Sequence, residues 1–238
     1  MLALLISNLI VMNFIQELKE IIAEKHLLTH PFYQAWTAGT LPLEVMQKYA
    51  EQYYHLEKNF PNFLSAMLMT AESEDAREAI LHNFQDEVYG NENHRELWLK
   101  FGEGIGATRN EIKTAEALKS TSDAVATFEE LSKKSFLLGS AALAAYEAQV
   151  PEVAKEKIDG LVRNYGIDSE ETMKFFRVHG EVDSAHAETW WNIIEKFCDD
   201  EAVKQDVRES VMKGRDALWN FLTGIMEAYY PEACDCEM

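Results

Sequence analysis

Residues 175–193 read FFRVHGEVDSAHAETWWNI, and the spacing inside them governs how the rest of the chain is read. His179, Asp183 and His186 stand at i, i+4 and i+7, positions that an α-helix gathers onto one stripe with neighbours about 5–6 Å apart. Phe175, Phe176, Val178, Val182, Trp190 and Ile193 recur at roughly helical intervals beside it, so the stripe borders an inward face. Ionisable groups are rarely buried without partners, and a metal ion is the partner that suits imidazole and carboxylate together. From this stretch alone, a solvated helix face carrying two incidental histidines stays open as the alternative.

Composition narrows the classes. The 238 residues suffice for one large domain with a buried core. Lys and Arg total 22 against 41 Asp and Glu, and a formal charge of −19 repels phosphate backbones and anionic lipid, so neither nucleic acid nor membrane is expected as a partner. Cys198, Cys234 and Cys236 make no even disulfide framework and fit a reducing cytoplasm. The chain starts with MLALLISNLIVM, too short a run to span a bilayer and without the basic start or cleavage site of a signal peptide. We read residues 1–11 as an apolar extension with Met12 as an alternative start, residues 12–230 as one domain, and residues 231–238 as a tail whose Cys-x-Cys pair is a weak metal signal.

Taken in order, Phe14, Leu18, Ile21 and Ile22 predict a first helix capped by Asn13, and the aromatic stretch PFYQAW follows His30. Pro42 opens a second helix carrying Tyr49, Tyr53, Tyr54, Phe60 and Phe63, which Pro61 is expected to kink or split. A third begins at Ser73 or Glu74; two continuous turns would align Glu87 with His94, although Gly90 is placed to distort them. After a helix from about Arg109 to Leu118, residues Thr121 to Val150 read as one long apolar helix. Glu147 is the oddest residue in it, because an unpaired carboxylate there costs several kcal/mol or takes up a proton. A short helix from Pro151 to Gly166 and two long ones, Ser169 to Phe197 and Ala202 to Tyr229, complete an all-α pattern of seven or eight helices.

Glu87, His94, Glu147, His179, Asp183 and His186 together make three carboxylates and three imidazoles. Such a set is like the dinuclear sites of helical bundles, and its donors favour iron, with manganese as a second occupant, over structural zinc. Two ferrous ions in an apolar pocket suit reductive activation of O2 with an external reductant. The doubled Glu-x-x-His of ferritin-like bundles is missing, which points to a different helical frame.

HPFYQAW (30–36), DEVYGNENHRELW (86–98), AAYEAQVPEVAKEKIDGL (144–161) and VHGEVDSAHAE (178–188) resemble, in order and spacing, the heme-oxygenase-like helical family. That family includes pyrroloquinoline quinone synthases, the TenA thiaminases and the chlamydial proteins associating with death domains. The resemblance runs from Met12 to about Tyr229. It implies a compact PqqC/TenA-like bundle of seven to eight helices, usually a homodimer, with no haem. It also implies a dimetal oxygenase, because the relatives' ligands match Glu87, His94, Glu147, His179, Asp183 and His186. Pyrroloquinoline quinone synthases work without metal, so the intact set argues against that activity. The implied product is para-aminobenzoate for folate synthesis, made from the protein's own side chains: Tyr33 as ring source, Tyr146 as radical relay and Lys157 as nitrogen donor. Read only as residues, Tyr33 and Tyr146 are core aromatics and Lys157 a surface charge. Two other functions stay open: a dimetal oxidase of a separate amine or fatty acid, and an acidic module that binds a death-domain type protein partner. His26, His30, His55 and His82 match no ligand pattern and are expected to be structural.

Overall fold

The computed structural model describes residues 14–234, the side chains of residues 181–185 and 234 excepted. Helices run over residues 14–23 (α1), Pro31–Ala38 (α2), Leu43–Thr70 (α3), Glu74–Val88 (α4), His94–Gly104 (α5), Arg109–Thr114 (α6), Lys119–Lys134 (α7), Phe136–Glu147 (α8), Val150–Tyr165 (α9), Glu170–Phe197 (α10), Glu201–Tyr229 (α11) and Pro231–Cys234 (α12). A 3-10 turn occupies Leu27–Thr29, and no strand occurs among the described residues. None of these helices is long and apolar enough to cross a membrane. The apolar extension, the Asn13 cap and Cys236 lie outside the described residues, as do the side chains of Asp183 and Cys234.

The all-α expectation holds, but the seven to eight helices become twelve helical segments among the described residues, and the extra breaks have local causes. The long helix expected from Thr121 to Val150 is interrupted at Ser135, whose extended backbone (φ −168°, ψ 144°) separates α7 from α8. Its hydroxyl accepts the Leu137 N–H at 3.1 Å and caps α8, while Lys133 and Lys134 end α7 where cations suit the helix dipole. The helix expected to carry both Glu87 and His94 is likewise two: α4 stops at Val88, Gly90 adopts φ +83°, and Asn93 caps α5 by accepting the Glu96 N–H. The PFYQAW stretch is itself helical as α2, capped by His30. α6 ends at Thr114, short of Leu118. Pro61 does not split α3, which continues through it to Thr70.

All twelve residues of α8 are buried. Helices α3, α7, α10 and α11 pack round it, which explains why its sequence is apolar on every side instead of striped. Small residues let the neighbours come close. On α11, Gly214 faces the backbone of Ala142, so that a Cβ there would stand 2.8 Å from the Ala142 carbonyl oxygen and 3.0 Å from its Cα. A second cluster, built on Trp36, Tyr49, Trp98, Phe101 and Phe176, fills the space between α2, α3, α5 and α10.

Of the histidines without a ligand pattern, three make structural contacts, and His82 is largely exposed beside Asp86. His30 is buried, accepts the Phe32 N–H and bonds the Thr223 hydroxyl at 3.0 Å, and burial lowers its pKa to about 4. His26 caps the 3-10 turn, and His55 bonds the Ala115 carbonyl.

Gly214→Val forces α11 away from α8, an overpacking cost of about 1–3 kcal/mol. A lower denaturant midpoint with an unchanged slope is the expected result; an unchanged midpoint contradicts the close approach.

Candidate metal centre and lysine cage

Carboxylates and imidazoles from several helices converge at one end of α8. Glu57 of α3, Glu87 of α4, Glu147 at the end of α8 and His179 of α10 line one small cavity together with Tyr53 and Tyr146, and all four are buried. His94, the first residue of α5, sets its Nδ1 2.9 Å from Glu87 Oε1, and its ring centroid lies 4.1 Å from that of His179. Glu87 and His94 therefore meet across a glycine turn and not along a continuous helix. Oε2 of Glu147 accepts the Trp190 indole N–H at 2.6 Å, which ties the end of α8 to α10.

His179 donates from Nδ1 to the Phe175 carbonyl at 2.8 Å and stacks on the Phe175 ring. Burial, followed by the neighbouring His94, holds its pKa well below the ordinary imidazole value. The ring is thus neutral, with its lone pair on Nε2. His186 is buried as well, and its Nε2 is directed at Asp86 Oδ2, 3.0 Å away. Among the described residues, no three His, Cys, Asp or Glu side chains already close on a common point. Of the six expected ligands, Glu87, His94, Glu147 and His179 are neighbours, His186 turns to α4, and the Asp183 side chain lies outside the description.

Beyond His179 the cavity wall becomes aromatic. Lys157 of α9, expected from its own residue type to be a surface charge, is 4% exposed. Its Nζ donates to the Tyr49 hydroxyl at 2.6 Å and lies 4.8 to 5.4 Å from the ring centres of Tyr33, Tyr49, Tyr53 and Phe176. Burial lowers its pKa to about 7, with Glu57 opposing the shift. The same burial raises the phenol pKa values of Tyr33, Tyr49 and Tyr53, so these phenols keep their protons. Tyr33 and Tyr49 hydroxyls are 3.5 Å apart, and those of Tyr53 and Tyr146 are hydrogen-bonded. The space enclosed by Tyr33, Tyr49, Tyr53, Tyr146, Lys157 and His179 is about 30 Å³. At roughly 10–15 Å³ per water, it has room for two or three waters at most.

Sequence reasoning missed the roles of Tyr49, Tyr53, Glu57, Asp86 and Trp190. A signal existed for three of them: Tyr49, Tyr53 and Glu57 stand at i, i+4 and i+8, one stripe of α3. Trp190 reads from the sequence as a core aromatic, and Asp86 stands out only as part of the motif DEVYGNENHRELW. A wider surface groove of about 900 Å³ between α7 and α11 contains none of these residues.

The model of a family described as iron-containing redox enzymes matches residues 47–219. The chain belongs to that family. It is 39% identical over 227 residues to a 4-aminobenzoate synthase of Nitrosomonas europaea, covering 91% of this chain and 92% of the relative. It is 36% identical over 226 residues to a 4-aminobenzoate synthase of Chlamydia trachomatis serovar D, covering 94% and 96%. The crystal structure of a TenA homolog from Pseudomonas syringae pv. tomato superposes with a TM-score of 0.78 at 17% identity, covering 90% of this chain and 93% of that one. The heme-oxygenase-like, TenA-like fold expected from the motifs is therefore the observed one. Kinship with synthases inside an iron-containing redox family supports an oxidase or oxygenase.

The depressed pKa of Lys157 has a cost in stability. Between pH of about 7 and 10.5 the unfolded chain binds a proton that the folded chain does not, so stability rises with pH across that window and the penalty is greatest at and below its lower end. Lys157→Met should stabilise the fold by roughly 2–4 kcal/mol near neutrality. That gain should shrink as the pH approaches 10, as read from denaturant midpoints; a gain that is absent or independent of pH contradicts the buried amine.

Proposed function

We propose that this protein is an O2-dependent, non-haem dimetal enzyme that forms 4-aminobenzoate from its own side chains, Tyr33 giving the ring and Lys157 the nitrogen. The observation that carries this reading is the lysine cage: a buried, readily neutral amine enclosed by phenols around about 30 Å³, too little space for a separate aromatic acid. Similarity to 4-aminobenzoate synthases over more than nine-tenths of the chain supports the product.

The donor set fits iron, since buried carboxylates and a neutral imidazole are the oxygen and nitrogen ligands that such an ion takes. Glu87, His94, Glu147, His179, Asp183 and His186 would hold two iron ions, or manganese and iron, which when bound supply the electrons for reducing O2, replenished by an external reductant.

The chain's own residues do the remainder. Trp190 fixes one carboxylate oxygen of Glu147, and the Phe175 carbonyl fixes the ring of His179. Tyr146 and Tyr53 touch the ligand end of the cavity, and Tyr49 and Tyr33 touch its lysine end, so phenols link the two. Tyr146, hydrogen-bonded to Tyr53 and bordering both parts of the cavity, is placed to act as a relay. Tyr49 orients Nζ of Lys157, and the surrounding rings shield the amine from bulk solvent. A neutral amine keeps the lone pair that forming a C–N bond to the ring needs; the ring's C–O bond and the lysine's own Nζ–Cε bond must break in turn, with O2 as the oxidant.

Protein loaded anaerobically with Fe(II), reduced and then exposed to O2 should release at most a single equivalent of 4-aminobenzoate per chain with no substrate added. Product from protein carrying ¹⁵N-lysine should contain the label, and peptide mass mapping should find changes at Tyr33 and Lys157. Lys157→Arg should abolish release. Repeated turnover on an added amine or acid, or unlabelled product, rules the self-consuming reaction out.

A further inference from the structure

Asp86 precedes Glu87 on α4 but turns the other way, to α10. Its Oδ2 lies 3.0 Å from His186 Nε2 and 3.5 Å from Nδ1 of His82, one helical turn earlier on α4. The partners differ in setting: the His186 side chain is 3% exposed, that of Asp86 39% and that of His82 74%. A carboxylate oxygen accepts the hydrogen bond, so Nε2 of His186 is the donor and Nδ1 is the ring nitrogen turned away from Asp86. The other buried imidazole of α10 is arranged in the opposite sense, because His179 commits Nδ1 to a backbone carbonyl and keeps the lone pair on Nε2. Two histidines two turns apart on one helix are thus held as different tautomers by different acceptors.

We propose that Asp86 is a positioning residue for the metal centre, fixing the tautomer and ring orientation of His186 so that Nδ1 is the nitrogen offered to a cation. This rests on the metal-binding reading given above. Hydrogen-bonded acceptors behind ligating histidines orient the ring and raise its basicity, and their removal typically weakens metal binding by about 10–100-fold. One turn of α4 then contributes twice: Glu87 reaches into the cavity, and Asp86 braces a ring across the interface with α10. His82, at the longer distance and mostly exposed, is a neighbour of the brace and not part of it.

The experiment compares the full-length chain with Asp86→Ala, Asp86→Glu and His82→Ala. Long-range ¹H–¹⁵N NMR on metal-free protein reads the His186 tautomer, and anaerobic Fe(II) titration reads affinity. Wild type should show His186 protonated at Nε2. Asp86→Ala should lose that signature and bind Fe(II) about 10–100-fold more weakly while still unfolding in one cooperative transition. Asp86→Glu should recover part of both, and His82→Ala should match wild type. If wild type binds Fe(II) and Asp86→Ala binds it equally well, or keeps the Nε2–H signature, the positioning role is overturned while the metal reading stands. A wild-type chain that binds no Fe(II) overturns both.

Discussion

A helix buried on every side cannot end in bulk water, and α8 ends in Tyr146 and Glu147. The interior must therefore satisfy a phenol and a carboxylate at that end, and the architecture follows from how it does so. Trp190 takes one oxygen of Glu147. The two-residue turn that follows is pinned by Gln149, which is 1% exposed, donates to the Ala145 carbonyl at 2.7 Å and accepts the Leu27 N–H at 2.8 Å. With the turn fixed at both ends, the course of α9 is fixed, and with it the place of Lys157. Gly160, one turn further on, leaves the room that the Trp36 indole occupies beside the cage: a Cβ there would stand 2.7 Å from that ring.

Two chemical environments thus share one cavity system. Charged and polar donors gather where α4, α5, α8 and α10 meet, and neutral phenols surround an amine where α2, α3 and α9 meet. Tyr53, Tyr146 and His179 border both. The division follows from desolvation: an ammonium is costly among rings, and carboxylates are costly anywhere inside without a cation or hydrogen bonds. The lysine responds with a pKa near 7.

How much of this could be read from the amino acids varied with the kind of signal. The stripe from His179 to His186 was legible because helical spacing is a local property, and so was Glu147, because a charge amid alanines stands out. The break at Ser135 was not, since the apolar run after it reads as a continuation of the mixed helix before it, and a capping serine behind two lysines gives no strong stop signal. Lys157 illustrates the limit of residue type: alone it reads as solvated, yet Val153 four residues before it and Leu161 four residues after are buried, so helical periodicity places it inward. The motif resemblance singled it out; its amphipathic stripe could have done so too. Pairings such as Asp86 with His186, 100 positions apart, depend on how α4 and α10 cross, which no local pattern encodes.

Tyr33 is 4% exposed and packed edge-on against Phe32, under a lysine and beside a second phenol. Under the proposed chemistry its ring departs, and the interior has nothing to put in its place. Emptying an aromatic site in a packed core costs about 3–5 kcal/mol, a large share of the roughly 5–15 kcal/mol that holds a domain folded. A chain that has acted once would be left loosened, populating open states that chaperones and proteases act on. Its lifetime after the event would then be set by the hollow it leaves, and each molecule would bear a mark of having been used.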